Sequence, residues 1–103
     1  MRYEGEVRVV LSRAELTAMR EAIELTPRFT GRLEVRDTLR RAMRVRSGRI
    51  ALEREVAERF ARRLVAFDLP TALAKAKLLH AIQDADREAL AVTEAADGAA
   101  RAA

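Results

Sequence analysis

Cysteine is absent from this 103-residue sequence, and histidine occurs once. These absences exclude disulfides, thiolate metal sites, cysteine nucleophiles and any zinc site that needs two histidines. Only four residues are aromatic, so the core must consist mainly of aliphatic side chains and alanine. A small core of this kind gives only marginal stability, and many small proteins gain stability by self-association. We therefore expect a homo-oligomer.

Long apolar runs are also missing, since none exceeds four residues. This excludes a membrane-spanning helix, and we expect no secretory signal at the start of the chain. Half of the residues are apolar and 35% are charged, a composition typical of one globular domain. We expect a cytoplasmic protein with no membrane partner.

The net charge of +4 is concentrated in one segment. Residues 25–49 contain eight arginines against two acidic residues, whereas the other segments are neutral or weakly acidic. Clustered positive charge favours a partner that carries phosphates or carboxylates. The alternative is a solvated helix face that Glu34 and Asp37 partly neutralise.

The N-terminal segment predicts a strand followed by two helices. Glu6–Leu11 alternates apolar and polar residues with a period of two, except at Val10. Ser12 stands three residues before Glu15, a capping box that predicts a helix ending before Pro27. A second helix is predicted from about Leu33 to Val45, and Ser47-Gly48 ends it; a short strand at 49–52 is the less favoured alternative.

The C-terminal half predicts two more helices. One covers about residues 50–67, with an apolar stripe of Leu52, Val56, Phe60, Leu64 and Phe67. The next runs from Pro70 to about Val92 and is apolar over more than half of its circumference, which favours burial on two sides. Residues 93–103 show no period, and we expect a disordered tail.

These elements define a mainly α-helical fold with one N-terminal β-strand and about four helices. Residues 1–92 form a single small domain, made of a strand–helix–helix part (6–45) and a helical pair (50–92). Because the chain offers no second strong strand, we expect the N-terminal strand to pair with that of a second chain.

The order strand, serine cap, helix, turn and basic helix resembles the ribbon-helix-helix family of DNA-binding proteins over residues 6–45. The matching positions are Val7 to Ser12, then Leu16, Met19 and Ile23, then Leu39, Ala42 and Met43. The resemblance implies a two-chain antiparallel ribbon that enters the major groove, and a second helix whose N-terminus holds a phosphate. Arg8, on the outward strand face, would then contact a base edge.

Arginines recur every four residues through the basic segment. They are Arg28, Arg32, Arg36, Arg40 and Arg44, with Arg41 beside them. Guanidinium groups bind phosphates bidentately, so this spacing predicts a track along a nucleic-acid backbone. Together with Arg8 these six residues form the predicted nucleic-acid-binding set.

Catalytic patterns are not found in the sequence. His80 and Asp84 lie four residues apart, but no nucleophile motif, oxyanion loop, phosphate loop or metal-ligand spacing accompanies them. We expect an exposed ion pair there, and we expect no enzymatic activity, no metal and no cofactor.

The sequence thus predicts a small dimeric DNA-binding regulator, or an accessory protein of a phage or plasmid. The C-terminal helices would serve oligomerisation or bind a protein partner. The alternative is a helical structural or adaptor subunit of a larger phage or nucleoprotein assembly, in a packaging, head-assembly or small-subunit role. There the arginines would meet an acidic protein surface or RNA. Inhibition of a host enzyme is a third possibility that the sequence leaves open.

Overall fold

A computed structural model describes the backbone of residues 6–102 and the side chains of residues 6–91. The described part is mainly helical, with an N-terminal strand and four helices, as the sequence predicts. In chain order the elements are β1 (Glu6–Val10), α1 (Arg13–Leu25), α2 (Arg32–Arg44), β2 (Arg49–Glu53), α3 (Arg54–Arg63) and α4 (Leu69–Ala102). None of the described helices is both long and apolar enough to cross a membrane.

The two strands form an antiparallel ribbon within one chain. Val7 lies opposite Leu52 and Val9 opposite Ile50, and these four side chains are buried. The expectation that β1 needs a second chain assumed that no other strand exists, and this assumption is wrong. Residues 49–53 also alternate apolar and polar side chains, so β2 presents a matching apolar face and supplies the backbone partners of β1.

The third helix is therefore shorter than predicted. Residues 50–53 belong to β2, and α3 ends at Arg63 because Leu64 leaves the helical region with ψ 119°. Val56, Phe60 and Leu64 are buried as expected, whereas Phe67 lies in the following loop with 58% of its surface exposed. The expected stripe is therefore buried from Leu52 to Leu64, and the expectation is wrong for Phe67.

Helix α1 begins with the predicted capping box. The backbone N–H of Glu15 donates to Ser12 Oγ over 3.1 Å, and the N–H of Ser12 donates to Glu15 Oε1 over 2.7 Å. The predicted face of Leu16, Met19 and Ile23 is buried. The helix stops at Leu25, before Pro27.

Helix α2 begins after Gly31, a position that only glycine can occupy without strain. Gly31 has φ +98°, and a Cβ there would lie 2.6 Å from Cγ2 of Val56. The loop of residues 26–31 thus packs closely on α3. Beyond it, Val35, Leu39 and Ala42 are buried at spacings of four and three residues on one face of α2, and Met43 is partly buried.

Helix α4 begins after Asp68, whose Oδ1 accepts the backbone N–H of Thr71 over 2.9 Å. It buries Ala74, Leu78 and Ile82 against the body and continues to Ala102, beyond the predicted end near Val92. The backbone of residues 93–102 continues this helix, whereas the sequence predicts a disordered tail from residue 93.

The core joins both halves of the chain. Phe60 is fully buried and stacks on Phe29 with ring centroids 6.2 Å apart. The guanidinium of Arg63 lies over the Phe29 ring, 5.3 Å from its centre. The loop before α2 is anchored in this way, which fixes the direction of the basic helix.

Candidate nucleic-acid interface

Five arginines lie close in sequence where α2 ends and β2 begins. We call Arg40, Arg41, Arg44, Arg46 and Arg49 the arginine cluster. All five are exposed, and none makes a side-chain hydrogen bond or ion pair within the described part of the chain. No acidic residue occurs between Asp37 and Glu53. The cluster is therefore a region of uncompensated positive charge.

The turn that carries the cluster is a Schellman motif. The N–H of Arg46 donates to the carbonyl of Met43 over 3.3 Å, and the N–H of Ser47 donates to that of Ala42 over 3.1 Å. Arg46 takes the left-handed position of this motif with φ 55°, where glycine is the usual residue. A side chain at this position costs about 1 kcal/mol. The turn thus keeps a cation at a position where glycine would be more stable.

Gly48 holds the same turn against the first strand. The N–H of Leu11 donates to the carbonyl of Gly48 over 2.7 Å. A Cβ on Gly48 would lie 2.1 Å from the Leu11 carbonyl oxygen, so the two backbones approach as closely as glycine allows. This contact places the turn beside the start of α1.

A shallow cavity of about 160 Å³ lies at this junction. Leu16 and Met43 contribute to its apolar lining, and Arg13 and Arg46 contribute to its polar part. Arg13 is the first residue of α1, where the helix dipole disfavours a cation, and it makes no ion pair within the described residues. Arg13 thereby adds a sixth unpaired cation next to the cluster.

Two predicted site residues serve the fold instead of an open surface. Arg32 donates from Nη2 to the Ile23 carbonyl over 3.1 Å, and this atom lies 3.7 Å from Glu24 Oε1. Arg36 Nε lies 3.6 Å from Glu24 Oε2. Both guanidiniums therefore lie near Glu24 of α1, and Arg36 lines a groove between α1 and α2 together with Arg40. The four-residue spacing thus includes both paired and unpaired arginines.

Arg28 and Arg8 lie outside the cluster. Arg28 is exposed in the loop before α2 and makes no ion pair within the described residues. Arg8 is on the outward face of the ribbon, as predicted, but its Nη2 lies 2.8 Å from Glu6 Oε1. Arg8 and Glu6 also line a groove with Asp84 and Glu88, so Arg8 has acidic surroundings.

The ribbon nevertheless carries one unpaired cation on its outward face. Arg49 lies opposite Val10. Arg8 lies opposite Ala51, two residues further from the turn on each strand. The end of the ribbon nearer the turn is therefore basic, whereas Glu6 and Glu53 face each other at the far end. The positive surface of α2 continues onto the ribbon through Arg49.

Sequence reasoning from spacing missed three members of this surface. Arg46 and Arg49 fall outside the four-residue spacing because they follow the helix, although the charge count of residues 25–49 includes them. Arg13 carried no signal at all, because only the contact between Leu11 and Gly48 brings it near the turn.

The pair His80 and Asp84 is exposed, as expected. Nε2 of His80 lies 3.5 Å from Oδ2 of Asp84, and 70% of the histidine side chain is accessible. Arg87 also approaches Asp84, with Nη1 3.3 Å from Oδ1. This geometry is that of a surface ion pair on one turn of α4.

No protein-family model, no curated protein and no solved structure matches this chain. The assignment of a function therefore depends on the geometry and charge of the surface described above.

Proposed function

We propose that this protein is a non-enzymatic nucleic-acid-binding protein that contacts duplex DNA through the arginine cluster. The observation that supports this best is the set of five exposed arginines without an ion pair in the described part. By contrast, several arginines of α3 have acidic partners: Arg54 pairs with Asp86 and Glu58, and Arg62 pairs with Glu58. The cluster keeps its charge available for a partner.

The binding mode that the cluster supports is contact with phosphates. Arg40, Arg41 and Arg44 lie within about 100° of one another on the last two turns of α2. Arg46 and Arg49 extend this surface into the turn and onto the ribbon. Guanidinium groups hold phosphate oxygens in pairs, and such contacts position a protein on a duplex without reading its sequence.

The ribbon-helix-helix resemblance remains part of the proposal in a modified form. The order strand, helix and helix is present, but β1 pairs with β2 of the same chain. A ribbon of two strands has the width that the major groove admits, whichever chain supplies the strands. Arg49 would then approach the DNA with the cluster. Because Arg8 is bound to Glu6, we expect Arg8→Ala to leave the affinity unchanged.

Two triple variants of equal net charge test the proposal. The first, Arg40→Gln/Arg41→Gln/Arg44→Gln, removes three cations of the cluster. The second, Arg59→Gln/Arg62→Gln/Arg87→Gln, removes three arginines that pair with Glu55, Glu58 and Asp84. Fluorescence anisotropy with unrelated 20-bp duplexes at several salt concentrations measures the affinity.

We expect the first triple variant to lower the slope of log affinity against log salt by about 0.9 for each lost contact, equally for unrelated sequences. The second variant should keep the slope of the wild type. Equal weakening by both variants would show attraction to total charge only, and would contradict the proposal. Absence of salt-dependent binding by the wild type would contradict it as well.

An adaptor subunit is the second candidate. The ion pair between Arg8 and Glu6 favours it, because the one predicted base-reading side chain is occupied and the remaining arginines recognise charge alone. The cluster would then face an acidic protein surface. Binding of the wild type to an acidic polypeptide such as polyglutamate, without binding to duplex DNA at equal ionic strength, would support this candidate.

A further inference from the structure

The outward face of the first three turns of α4 is apolar. Its members, which we call the outer stripe, are Leu69, Ala72, Leu73, Ala76 and Leu79. At 100° per residue they lie within an arc of about 120°. The three leucines are 70%, 47% and 43% exposed in chain order. Four of these positions are exposed and Ala72 is partly exposed, and the same arc continues at the polar residues His80 and Gln83.

The opposite face of the same helix is buried. Thr71, Ala74 and Leu78 are inaccessible to solvent, and they pack α4 against the body. The sequence predicts burial of this helix on two sides, and the body of the fold supplies one. The outer stripe is the second apolar side.

Two lysines flank the outer stripe, one on each side, and both turn away from it. Lys75 Nζ donates to the carbonyl of Leu64 over 2.8 Å. Lys77 Nζ donates to Glu15 Oε1 over 2.7 Å. Because both ammonium groups are held by the body of the same chain, a partner could cover the stripe without removing a free charge from water.

We propose that the outer stripe binds the outer stripe of a second copy of this chain, with the two α4 helices antiparallel about a two-fold axis at Ala76. In this arrangement Ala72 meets His80 of the other chain and Leu69 meets Gln83, so the apolar centre of the contact consists of Leu73, Ala76 and Leu79. Ala76 meets Ala76 on the axis, and Leu73 of each chain meets Leu79 of the other. The alanines permit close approach of the helices, and the leucines fill the space on either side.

The size of the contact sets the expected affinity. Overlap of residues 69–83 with themselves gives a helix pair about 22 Å long. This contact is smaller than a standard protein interface of about 800 Å² per partner, so we expect a dissociation constant in the micromolar range. The arginine cluster lies on α2, the turn and β2, and it remains uncovered. The inference does not rest on the proposed DNA binding.

Sedimentation velocity at concentrations from 1 to about 100 µM tests the proposal, together with a charged variant. The wild type should form dimers over this range. Leu73→Glu should raise the dissociation constant at least about tenfold, because it places an unpaired charge in the contact. Leu25→Glu is the matched control, since Leu25 is 75% exposed at the end of α1 and lies outside the stripe.

Cross-linking tests the register without relying on the fold of the charged variant. Because the chain has no cysteine, single-cysteine variants report one position each. Ala76→Cys should form a covalent dimer under mild oxidation, and Ala51→Cys, on the exposed ribbon face, should not. A mixture of Leu73→Cys and Leu79→Cys should cross-link faster than either variant alone.

A wild type that stays monomeric at about 100 µM would overturn the proposal. So would a dimer that Leu73→Glu leaves intact while Ala51→Cys cross-links as fast as Ala76→Cys. Covalent dimers of Ala76→Cys with dissociation of folded Leu73→Glu would support it. If Leu73→Glu fails to fold, the cross-linking result decides.

Discussion

Nζ of Lys77 in α4 donates a hydrogen bond to Oε1 of Glu15 in α1 over 2.7 Å. The same oxygen accepts the backbone N–H of Ser12 in the capping box over 2.7 Å. The Glu15 side chain is only 5% accessible. The buried Glu15 carboxylate thus caps α1 and also connects α4 to α1.

Removal of this carboxylate should destabilise the protein. We expect Glu15→Ala to lower the free energy of unfolding by about 2 kcal/mol, because the cap and a charge-assisted hydrogen bond are lost together. Glu21→Ala, on the exposed side of the same helix, should change it little. Urea denaturation measures both. Equal effects of the two variants would contradict this role of Glu15.

The stability should depend on pH through the same residue. Burial alone would raise the pKa of Glu15, but the hydrogen bonds from Lys77 and Ser12 lower it below its ordinary value of 4.5. A group whose pKa is lower in the folded than in the unfolded state stabilises the fold above its ordinary pKa, and this contribution is lost as pH falls through the lowered value. We expect unfolding free energies measured from pH 7 to pH 3 to fall below about pH 5. Glu15→Gln should flatten this decline, whereas Glu21→Gln should not.

Gly48 should tolerate no side chain. Gly48→Ala would force apart the backbones of Leu11 and the turn, since the new Cβ would lie 2.1 Å from the Leu11 carbonyl oxygen. We expect a loss of about 2 kcal/mol or more in the free energy of unfolding. Ala51→Val, which adds methyl groups at an exposed position of β2, is the control and should leave stability unchanged or slightly higher. A thermal melt of Gly48→Ala that matches the wild type would contradict the contact.

Arg46 should show opposite effects on stability and on binding. Arg46→Gly should raise the free energy of unfolding by about 0.5 to 1 kcal/mol, because glycine adopts φ 55° without a Cβ penalty. If the cluster binds phosphates, the same variant should bind duplex DNA more weakly and with a smaller salt dependence. Arg46→Lys should keep the binding without the gain in stability. A gain in stability with unchanged affinity would place Arg46 outside the interface.

Arg54 connects the start of α3 to α4 through a bidentate contact. Nε and Nη2 each lie 2.8 Å from one carboxylate oxygen of Asp86, and this guanidinium lowers the pKa of that carboxyl. Arg54→Lys should lose about 1 kcal/mol of stability, because an ammonium cannot bind both oxygens in the same plane. Arg59→Lys is the control. A double-mutant cycle with Asp86→Asn should give a coupling free energy of about 1 kcal/mol.

The sequence predicts most of the helical content, because the apolar positions of α1 and α2 are spaced for one buried face and their ends carry strong signals. Ser12 with Glu15 gives the start of α1, and Ser47-Gly48 gives the end of α2. Leu16, Met19 and Ile23 of α1 and Leu39 and Ala42 of α2 are buried, whereas Met43 is only partly buried. These features are local, and local spacing is enough to show them.

The sequence favours a helix over a strand at residues 50–53 because Leu52 satisfies two patterns. It alternates with Ile50 in a strand, and it also stands four residues before Val56 in a helical stripe. The strand is formed instead of the helix because residues 49–53 pair with β1. This pairing joins segments that are distant in sequence, so no local pattern shows it. The sequence predicts a buried Phe67 for a related reason, since its spacing continues the stripe of α3 beyond the residue where the helix ends.

The candidate site could be found by charge but not by spacing. The excess of arginine in residues 25–49 indicates the right segment, yet Arg32 and Arg36 pack against α1 near Glu24. Which arginines remain open depends on where acidic side chains of other elements lie. That information exists only in the folded chain.

In the sequence, α1 and α2 lie between the paired strands β1 and β2. During synthesis β1 therefore leaves the ribosome well before its partner has been made. Until residues 49–53 emerge, the backbone of β1 lacks its hydrogen-bond partners, and the Val7 and Val9 side chains lack their native contacts with β2. A messenger truncated before the codon for Arg49 would yield a fragment with α1 and α2 but without a partner for this strand, and such fragments are substrates for chaperones and proteases.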